Sequence, residues 1–444
     1  MFRALLSWAT PKAKTEGLVD SAVRYNPWIR RRVAGAMSLA ANCTDLDALI
    51  ALRDSLTDVT MRAAQATRYG QGRSPHIAEW PLLDKPTVAS AAADFRNRSV
   101  RFALPAGTGG TTGVPLKIWR SLECVVAEQA FLDELLAPYG MSMRQSRVAI
   151  LRGDRVKDTH NLRPPFGNLS HRGTRLTLSA AHLNAETVPW YAVALRDFAP
   201  TVLWVYPSAA QNLLRLYQDK GFDQKIPVIM ASSEMLPPAL HRALEQQFDS
   251  RVINYYGQAE RVCLAVSTTP GVFRFKPCYG RVELLPMQTE AGAAPAAAEI
   301  VATNLWNTAM PLVRYRTGDT LLLPQDHDEW TLTEIALGLR PFEAVLGREG
   351  EYLLTREGMR IIGLNQIPRE IEHVAQLQLE QTDFEQVFVN VAALPGYHAG
   401  DARDILDRTR SKLPASMQVT VRTVPQLVVN ARGKAPFVIR HVGG

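Results

Sequence analysis

The sequence predicts an α/β fold: a large N-terminal part of several subdomains with layered α/β sheets, followed by a small α+β C-terminal domain. Short apolar segments alternate with helical segments between residues 147 and 256, which is typical of strands and helices packed in layers. The segment after residue 347 carries helices and strands of its own. The chain has 444 residues, more than one hydrophobic core usually organises. We therefore expect domains at residues 1–346 and 347–444.

The first hundred residues are predicted to be mostly helical. Apolar residues recur at helical spacing over residues 45–64, and the sequence Asp84-Lys85-Pro86 interrupts that pattern. A turn rich in glycine and threonine follows at residues 106–115, and a helix is predicted over residues 122–136.

The remaining elements follow from periodicity. Buried strands are predicted at residues 147–151, 201–206, 226–230 and 251–256, and helices at residues 188–198, 209–217 and 238–248. Further strands are expected at residues 280–285, 299–303, 312–316 and 320–323, with an exposed loop at 291–298. In the C-terminal domain we expect helices at residues 370–379 and 402–413 and strands at residues 384–391 and 418–424.

Composition narrows the functional classes. Apolar residues make up 46% of the chain, which argues against general disorder. The net charge of +7 suits either an ordinary basic enzyme or one with an anionic partner such as a nucleotide, coenzyme A or an acidic carrier protein. No dense basic stripe is present, so nucleic acid is not expected.

Two further features concern the compartment. The four cysteines lack metal-ligand spacing, which predicts reduced thiols in the cytoplasm. No apolar run is long enough to span a membrane, and the N-terminal apolar stretch is too short for a signal peptide.

The segment 106–115, Ala-Gly-Thr-Gly-Gly-Thr-Thr-Gly-Val-Pro, has the chemistry of a phosphate-binding loop. Its glycines allow close backbone approach, and successive N–H groups can form an anion-binding nest. Three threonine hydroxyls add hydrogen-bonding groups for phosphate or Mg²⁺. The loop is neither a Walker loop nor a dinucleotide fingerprint, and a glycine-rich surface loop is the structural alternative.

Two polar segments follow predicted strands. Ser233 and Glu234 come after the strand at residues 226–230, where capping of the next helix is the alternative explanation. Tyr256, Gly257 and Glu260 come at the end of the strand at residues 251–256, where a core tyrosine and a surface charge would look the same.

Three later segments also place charged residues next to a predicted strand or a glycine. Arg314 and Arg316 are predicted to alternate on a strand that leads to Asp319. Arg348 follows a glycine at the predicted domain boundary, and Lys434 follows a glycine near the C-terminus. Each of the last two can also be a solvated surface charge.

Taken in this order, the segments resemble the signature motifs of the adenylate-forming superfamily, whose loop reads roughly Ser-Ser/Thr-Gly-Thr-Thr-Gly-x-Pro. The match runs over residues 108–115. This sequence departs from the pattern at Gly109, Val114, Ala259 and Gly350. The segments at residues 179–183 and 206–209 resemble the phenylacetate–coenzyme A ligase-like branch.

The resemblance implies residue roles. ATP would contact Thr108, Gly110, Thr111, Thr112, Gly113, Ser233, Glu234, Tyr256, Gly257 and Asp319. Lys434, Glu260 and Arg348 would be catalytic, with Glu260 also a ligand of Mg²⁺. The acyl pocket would include His182, Tyr206 and Ser208, although His182 can equally be a buried structural histidine. Phe131, Trp190, Trp204 and Tyr206 are candidates for an aromatic slot, with core packing as the alternative.

The resemblance also implies a reaction. A carboxylic acid, by branch an aryl or arylacetic acid, would become an acyl-adenylate, and the acyl group would pass to coenzyme A while the C-terminal domain rotates. The alternatives are transfer to the phosphopantetheine of an acyl carrier protein, transfer to an amine or hydroxyl group, and a non-catalytic nucleotide-binding homologue.

Overall fold

The computed structural model describes residues 7–8, 23–43, 45–107, 116–154, 156–158, 161–287, 297–324, 327–348, 352–356, 360–361, 364, 367–368, 371, 373–410, 412–414, 416–429 and 435–442. Contacts divide the chain into two compact units. The first comprises Met1–Gly17, Gln145–Asn254 and Glu351–Gly444, and the second comprises Leu18–Arg144 and Tyr255–Gly350. The predicted domain boundary at residues 346/347 stays a prediction.

The described helices include those predicted at residues 45–64, 122–136, 188–198, 209–217, 238–248 and 402–413, each with ends within three residues of the predicted positions. The helices are α1 (Pro27–Ala41), α2 (Leu46–Gln65), α3 (Lys85–Ser90), α4 (Leu122–Leu136), α5 (Val188–Phe198), α6 (Pro207–Lys220), α7 (Pro238–Phe248), α8 (Glu329–Ala336) and α9 (Ala399–Arg410). Side-chain caps fix several starts: the hydroxyl of Ser121 accepts a hydrogen bond from the backbone N–H of Cys124 at the start of α4.

Strands in the first half of the chain are β1 (Ser7–Trp8), β2 (Ala103–Gly107), β3 (Lys117–Ser121), β4 (Val148–Arg152), β5 (Gly167–Ser170), β6 (Arg175–Ser179), β7 (Val202–Val205), β8 (Val228–Ser232) and β9 (Arg251–Gly257). They are followed by β10 (Leu264–Thr269), β11 (Val272–Phe275), β12 (Gly280–Pro286), β13 (Ala297–Asn304), β14 (Tyr315–Leu322) and β15 (Val345–Arg348). The C-terminal strands are β16 (Leu353–Leu354), β17 (Arg360–Ile361), β18 (Val374–Gln381), β19 (Gln386–Ala393), β20 (Gln418–Thr423) and β21 (Val438–Arg440).

A mainly parallel sheet organises the first unit. Its strands follow the order β1-β5-β6-β4-β7-β8-β9, and β4 pairs in parallel with β6 and β7, as β7 does with β8. The register aligns Val148 with Val202 and Val202 with Val228, so the carboxyl ends of these strands share one edge. Ligands of open α/β sheets bind at such an edge.

The same unit contains a second sheet, with strand order β20-β19-β18-β21. Here the helix predicted at residues 370–379 is wrong, because Val374–Gln381 is a strand. Alanine, leucine, glutamine and glutamate favour helices locally, but β18 pairs with β19 on one side and β21 on the other. Cross-strand pairing outweighed the local propensity.

The second unit contains an antiparallel sheet, β12-β13-β14-β15, together with the β2–β3 and β10–β11 hairpins. The strands predicted at 312–316 and 320–323 are one strand, Tyr315–Leu322. Arg314 precedes it with φ 51°, so Arg314 and Arg316 do not alternate on a strand as predicted. The predicted loop at 291–298 lies outside the described residues except for Ala297 and Ala298, which begin β13.

The layered α/β fold class is confirmed by these sheets and helices. Among the described residues, none of the helices combines the length and apolar character that crossing a bilayer requires.

Candidate active site

Tyr256 and Asp319 meet in the second unit through a short hydrogen bond. The Tyr256 hydroxyl donates to Oδ2 of Asp319 at 2.7 Å, and only 5% of Asp319 is exposed. Burial, followed by the charge of Asp319, raises the pKa of Tyr256 well above its usual value. The phenol therefore stays protonated and donates. A carboxylate has about four acceptor sites, so this bond leaves Asp319 able to accept more.

The position of Asp319 is set by a turn at Gly318 and by backbone hydrogen bonds. Gly318 has φ 74°, which favours glycine, and the backbone N–H of Asp319 donates to Oγ1 of Thr317 at 3.1 Å. The Thr317 hydroxyl in turn donates to the carbonyl of Ile300 on β13 at 2.8 Å. On the other side, Asp319 pairs with the backbone of Arg348 on β15. The side chain of Arg348 lies outside the described residues.

Glu260 is joined to the same strand. The Tyr315 hydroxyl donates to Oε1 of Glu260 at 3.0 Å, and Glu260 is only 5% exposed. A second bond therefore connects the motif at residues 255–260 with the motif at residues 314–319. Carboxylate oxygens are ligands that Mg²⁺ prefers, and such sites use one or two carboxylates with substrate phosphates supplying the rest. The chemistry of Glu260 fits this ion.

The phosphate loop itself, with Thr108, Gly110, Thr111, Thr112 and Gly113, lies outside the described residues. Its two ends are described: β2 and β3 are antiparallel, and Gly107 pairs with Lys117. Nη2 of Arg120 on β3 donates to the carbonyl of Ala259 at 2.6 Å. The base of the loop hairpin is thus held against the motif that carries Glu260.

Two arginines of this region, Arg120 and Arg261, were not predicted from the sequence as site residues. Nη1 of Arg261 donates to the carbonyl of Cys124 at 3.0 Å, and its Nε lies 3.5 Å from Oε2 of Glu128. Only the position of Arg261 directly after the Tyr-Gly-x-x-Glu motif could have suggested it.

Glu234 connects three parts of the first unit. Its Oε2 accepts from the backbone N–H of Ser208 at 2.7 Å, and its Oε1 accepts from the Ser208 hydroxyl at 3.0 Å. Oε1 also accepts from the backbone N–H of Ala435 at 2.7 Å. Ser233, at φ 73°, turns the chain into this position. Glu234 therefore does not act as an N-cap of the helix that follows it, and instead lies at the N-terminus of α6, where a negative charge is favourable.

Lys434 lies outside the described residues, as do residues 430–433. Its neighbour Ala435 is nevertheless fixed by Glu234, and Gln378 binds the backbone on either side of the segment. Nε2 of Gln378 donates to the carbonyls of Val428 and Pro436, each at 2.9 Å.

Comparison with known proteins finds several curated relatives. A scan against protein-family models finds no match. The chain is 21% identical to Protein CapK of Staphylococcus aureus over 71% of this chain and 69% of that protein. It is 27% identical to a phenylacetate-coenzyme A ligase of Pseudomonas putida over 50% of this chain and 49% of the ligase. It is 25% identical to indoleacetate–lysine synthetase of Pseudomonas savastanoi over 57% of this chain and 62% of the synthetase.

A solved structure shows the same fold. The 2-hydroxyisobutyryl-CoA ligase, in the postadenylation state with 2-HIB-AMP, matches 88% of this chain and 90% of its own with a TM-score of 0.55 at 14% identity. The curated relatives support the resemblance of this chain to the adenylate-forming superfamily, in its phenylacetate–coenzyme A ligase-like branch. The matches to the three curated relatives span from 49% to 69% of their lengths.

His182 is a buried ring, and both of its nitrogens lie within hydrogen-bonding distance of a partner. Nδ1 lies 2.7 Å from the Ser179 hydroxyl and Nε2 lies 3.2 Å from the carbonyl of Asp158. A carbonyl only accepts, so Nε2 carries the proton and Nδ1 accepts from Ser179. The ring also stacks on Phe166. This geometry favours the structural alternative for His182, and substrate contact stays a prediction.

The aromatic residues predicted to line the acyl pocket lie in different parts of the structure. Trp190 packs edge-on to Phe166, and Tyr191 stacks on the same ring. Phe131, in contrast, is 1% exposed in α4 and packs against Tyr279 in the core of the second unit.

Trp204 and Tyr206 flank an arginine that the sequence did not single out. The guanidinium carbon of Arg152 lies 4.7 Å from the centroid of each ring. Nη2 of Arg152 lies 3.4 Å from the Tyr206 hydroxyl, at the carboxyl edge of the parallel sheet. In the sequence, only the position of Arg152 at the end of a predicted apolar strand could have indicated it.

Proposed function

We propose that this chain is an acid–thiol ligase that uses ATP and Mg²⁺ to activate a carboxylic acid as an acyl-adenylate, then transfers the acyl group to coenzyme A. One observation carries the proposal: four separated segments join in the second unit through Tyr256–Asp319, Tyr315–Glu260, Arg120–Ala259 and the pairing of Asp319 with Arg348. The similarity to curated phenylacetate-coenzyme A ligases supports it.

Asp319 would bind the nucleotide by accepting hydrogen bonds from the two ribose hydroxyls. Tyr256 would pack beside the adenine while its hydroxyl holds the Asp319 carboxylate. The backbone of the loop at Gly110, Gly113 and the adjoining threonines Thr108, Thr111 and Thr112 would bind the phosphates, with Ser233, Glu234 and Gly257 lining the adenine site. These roles extend the resemblance residue by residue.

Glu260 would hold Mg²⁺, which supplies neutralisation of phosphate charge when bound. Lys434 would bridge the substrate carboxylate and the α-phosphate, and Arg348 would approach the ribose or phosphate. Both cations offset the repulsion between an attacking carboxylate and a polyanion. In this first step a carboxylate oxygen bonds to the α-phosphorus and the bond to pyrophosphate breaks.

In the second step a thiol, as thiolate, would attack the acyl carbon and AMP would leave. We propose that residues 347–444 form the mobile domain that carries Lys434, and that it rotates between the steps. The hydrogen bond between Glu234 and the backbone of Ala435 supports the placing of this segment beside Ser208 during the first step.

An aryl or arylacetic acid is the proposed substrate, since several curated relatives are phenylacetate-coenzyme A ligases. Phe166, Trp190 and Tyr191 supply an aromatic cluster in the first unit, close to His182. Tyr206, Ser208 and His182 would border the acyl group. Four unpaired cysteines agree with a cytoplasmic location, where thiols stay reduced.

Transfer to an amine is the second candidate for the acceptor, because one relative is an indoleacetate–lysine synthetase. Loading of an acidic acyl carrier protein has only the basic net charge in its favour.

The test is pyrophosphate release from ATP against a panel of aromatic and short aliphatic acids, followed by product analysis with coenzyme A, lysine and a carrier domain. We expect acid-dependent pyrophosphate release and a coenzyme A thioester. Release without any thioester, but with an amide, would favour the amine acceptor. No release with any acid would favour a non-catalytic nucleotide-binding homologue.

A further inference from the structure

His373, His398 and Asp401 form a cluster of metal-ligating side chains in the C-terminal part of the first unit. His373 immediately precedes β18, and His398 and Asp401 lie at the start of α9. Nδ1 of His373 is 3.1 Å and Nδ1 of His398 is 3.4 Å from Oδ2 of Asp401. One ligand atom from each of the three residues lies within 4.8 Å of the other two.

The hydrogen bonds place two electron-rich atoms of this cluster side by side at the start of α9. His373 can donate its Nδ1 proton to Asp401, which also accepts the backbone N–H of His398 at 2.9 Å. Nδ1 of His398 accepts the backbone N–H of Gly400 at 3.1 Å and that of Asp401 at 3.3 Å, so it carries a lone pair rather than a proton. Two electron-rich atoms, this nitrogen and Oδ2 of Asp401, therefore face each other. A cation between them would remove the repulsion.

The distances suit a zinc-sized ion. Zinc binds histidine nitrogen at about 2.0–2.1 Å and carboxylate oxygen at about 2.0–2.2 Å, so tetrahedral ligands lie about 3.3 Å apart. The two ligand pairs that include Asp401 are 3.1 and 3.4 Å apart, and the ligand atoms of the two histidines lie within 4.8 Å of each other. Two imidazoles with one carboxylate are a typical set for zinc and related divalent transition metals.

The surroundings of the cluster allow a metal ion to reach the three side chains from solvent. Side-chain exposure is 63% for His398 and 34% for His373, so solvent reaches the cluster, while Asp401 at 9% is fixed below it. A β-carbon at Gly396 would lie 2.8 Å from Cδ2 of His373, so the ring position requires glycine there. A metal ion at Nδ1 of His398 would displace its hydrogen bonds from the backbone N–H groups of Gly400 and Asp401. Gly400 is exposed, so water can replace the first of these bonds.

We propose that His373, His398 and Asp401 bind one zinc-class divalent transition metal, with water completing its coordination. Binding displaces the Nδ1 proton of His373 into solvent and connects the start of β18 with the first turn of α9. The site is independent of the nucleotide-binding residues and of the proposed reaction.

The experiment uses the full chain, stripped with a chelator and free of ATP and Mg²⁺, titrated with Zn²⁺ against a chromogenic competitor. We expect one tight equivalent in the unmodified protein and at least a tenfold weaker affinity in His373→Gln and in His398→Ala. His441→Ala is the matched control, because His441 is an exposed histidine paired with Glu380 in the same unit, and it should bind like the unmodified protein. Glu260→Gln should also bind normally.

Two further measurements keep the result decisive. Melting temperatures without metal show whether each variant is folded, and only folded variants are compared. Zn²⁺ should raise the melting temperature of the unmodified protein and not that of His398→Ala, and Co²⁺ should give the visible absorption of a tetrahedral site. Equal Zn²⁺ affinity in the variants, or no tight equivalent in any of them, would overturn the proposal.

Discussion

At the residue scale, the proposed nucleotide site depends on hydrogen bonds that hold acidic side chains in the second unit. Asp319 and Glu260 are both buried, and a tyrosine hydroxyl donates to each. Hydrogen bonds to charged groups contribute about 1.5–3 kcal/mol, more than neutral ones. Buried carboxylates fixed in this way are poised to receive hydroxyl groups or a metal ion without further reorganisation.

Tyr256→Phe removes one such bond while keeping the ring. We expect kcat/KM for ATP to fall about 10- to 100-fold, because about 1.4 kcal/mol corresponds to tenfold. Pyrophosphate release against ATP concentration measures it. Tyr217→Phe is the control, since the Tyr217 hydroxyl is buried without a hydrogen-bond partner in the described structure, and activity there should not change. Equal activity of both variants contradicts the role of Tyr256.

Lys434→Ala tests the proposed catalytic lysine. Loss of one group that stabilises developing charge should lower acyl-adenylate formation about 10²–10³-fold. Acid-dependent pyrophosphate release is the readout, with Lys225→Ala as control because Lys225 forms an exposed ion pair with Asp249. An unchanged rate in Lys434→Ala refutes the assignment.

Glu234→Gln keeps the shape of the side chain but removes its charge and one acceptor. Ser208 and Ala435 would lose charge-assisted bonds, so we expect acyl-adenylate formation to fall at least tenfold. Glu385→Gln is the matched control in the same unit, because its ion pair with Arg356 is exposed and exposed pairs contribute little. If both variants behave alike, Glu234 does not position the C-terminal segment.

At the element scale, β18 links the C-terminal sheet to the segment that contains Lys434. The Gln378 side chain, fully buried on this strand, binds the backbone of Val428 and Pro436 on both sides of residues 430–434. A strand rather than a helix at this position therefore bears on the proposed function. It fixes both ends of the segment that would carry the catalytic lysine.

Gln378→Ala removes a fully buried side chain and its hydrogen bonds to the part-buried backbone groups of Val428 and Pro436. We expect the free energy of unfolding to fall by about 1–3 kcal/mol, and acyl-adenylate formation to fall as well. Urea denaturation and pyrophosphate release measure the two effects. Gln418→Ala, at an exposed position on β20, should change neither by a comparable amount. If Gln378→Ala loses stability but keeps full activity, β18 does not contribute to acyl-adenylate formation.

At the scale of the whole molecule, buried tyrosines predict how stability responds to alkali. Burial raises the pKa values of Tyr191 and Tyr217, and burial together with a nearby carboxylate raises those of Tyr256 and Tyr279. In the unfolded chain these phenols ionise near pH 10. The unfolded state therefore loses protons that the folded state keeps, and stability falls as pH rises above about 10.

Melting temperatures from pH 7 to above pH 10 should show this loss, and tyrosinate absorbance from the four residues should appear only with unfolding. In Tyr217→Phe the melting temperature should fall less steeply as the pH rises above about 10. Full ionisation of all tyrosines in the folded protein would contradict the assigned burial.

The layered α/β class, most of the described helices, the strands β4, β7–β9, β12–β14, β19 and β20, and the order of the motifs could be predicted from the sequence. They depend on local periodicity and on short-range chemistry, such as the apolar run that specifies β7. The resemblance to adenylate-forming enzymes came from the same short segments and is confirmed by the comparisons.

Only the tertiary structure decided which distant groups meet. β18 is a strand because β19 and β21 pair with it, and those partners come later in the chain. Arg120 and Ala259, Glu234 and Ala435, and Arg152 with Trp204 are likewise brought together by folding. Such contacts depend on the packing of the whole unit, because hydrogen bonding and burial act through space and leave no period in the sequence.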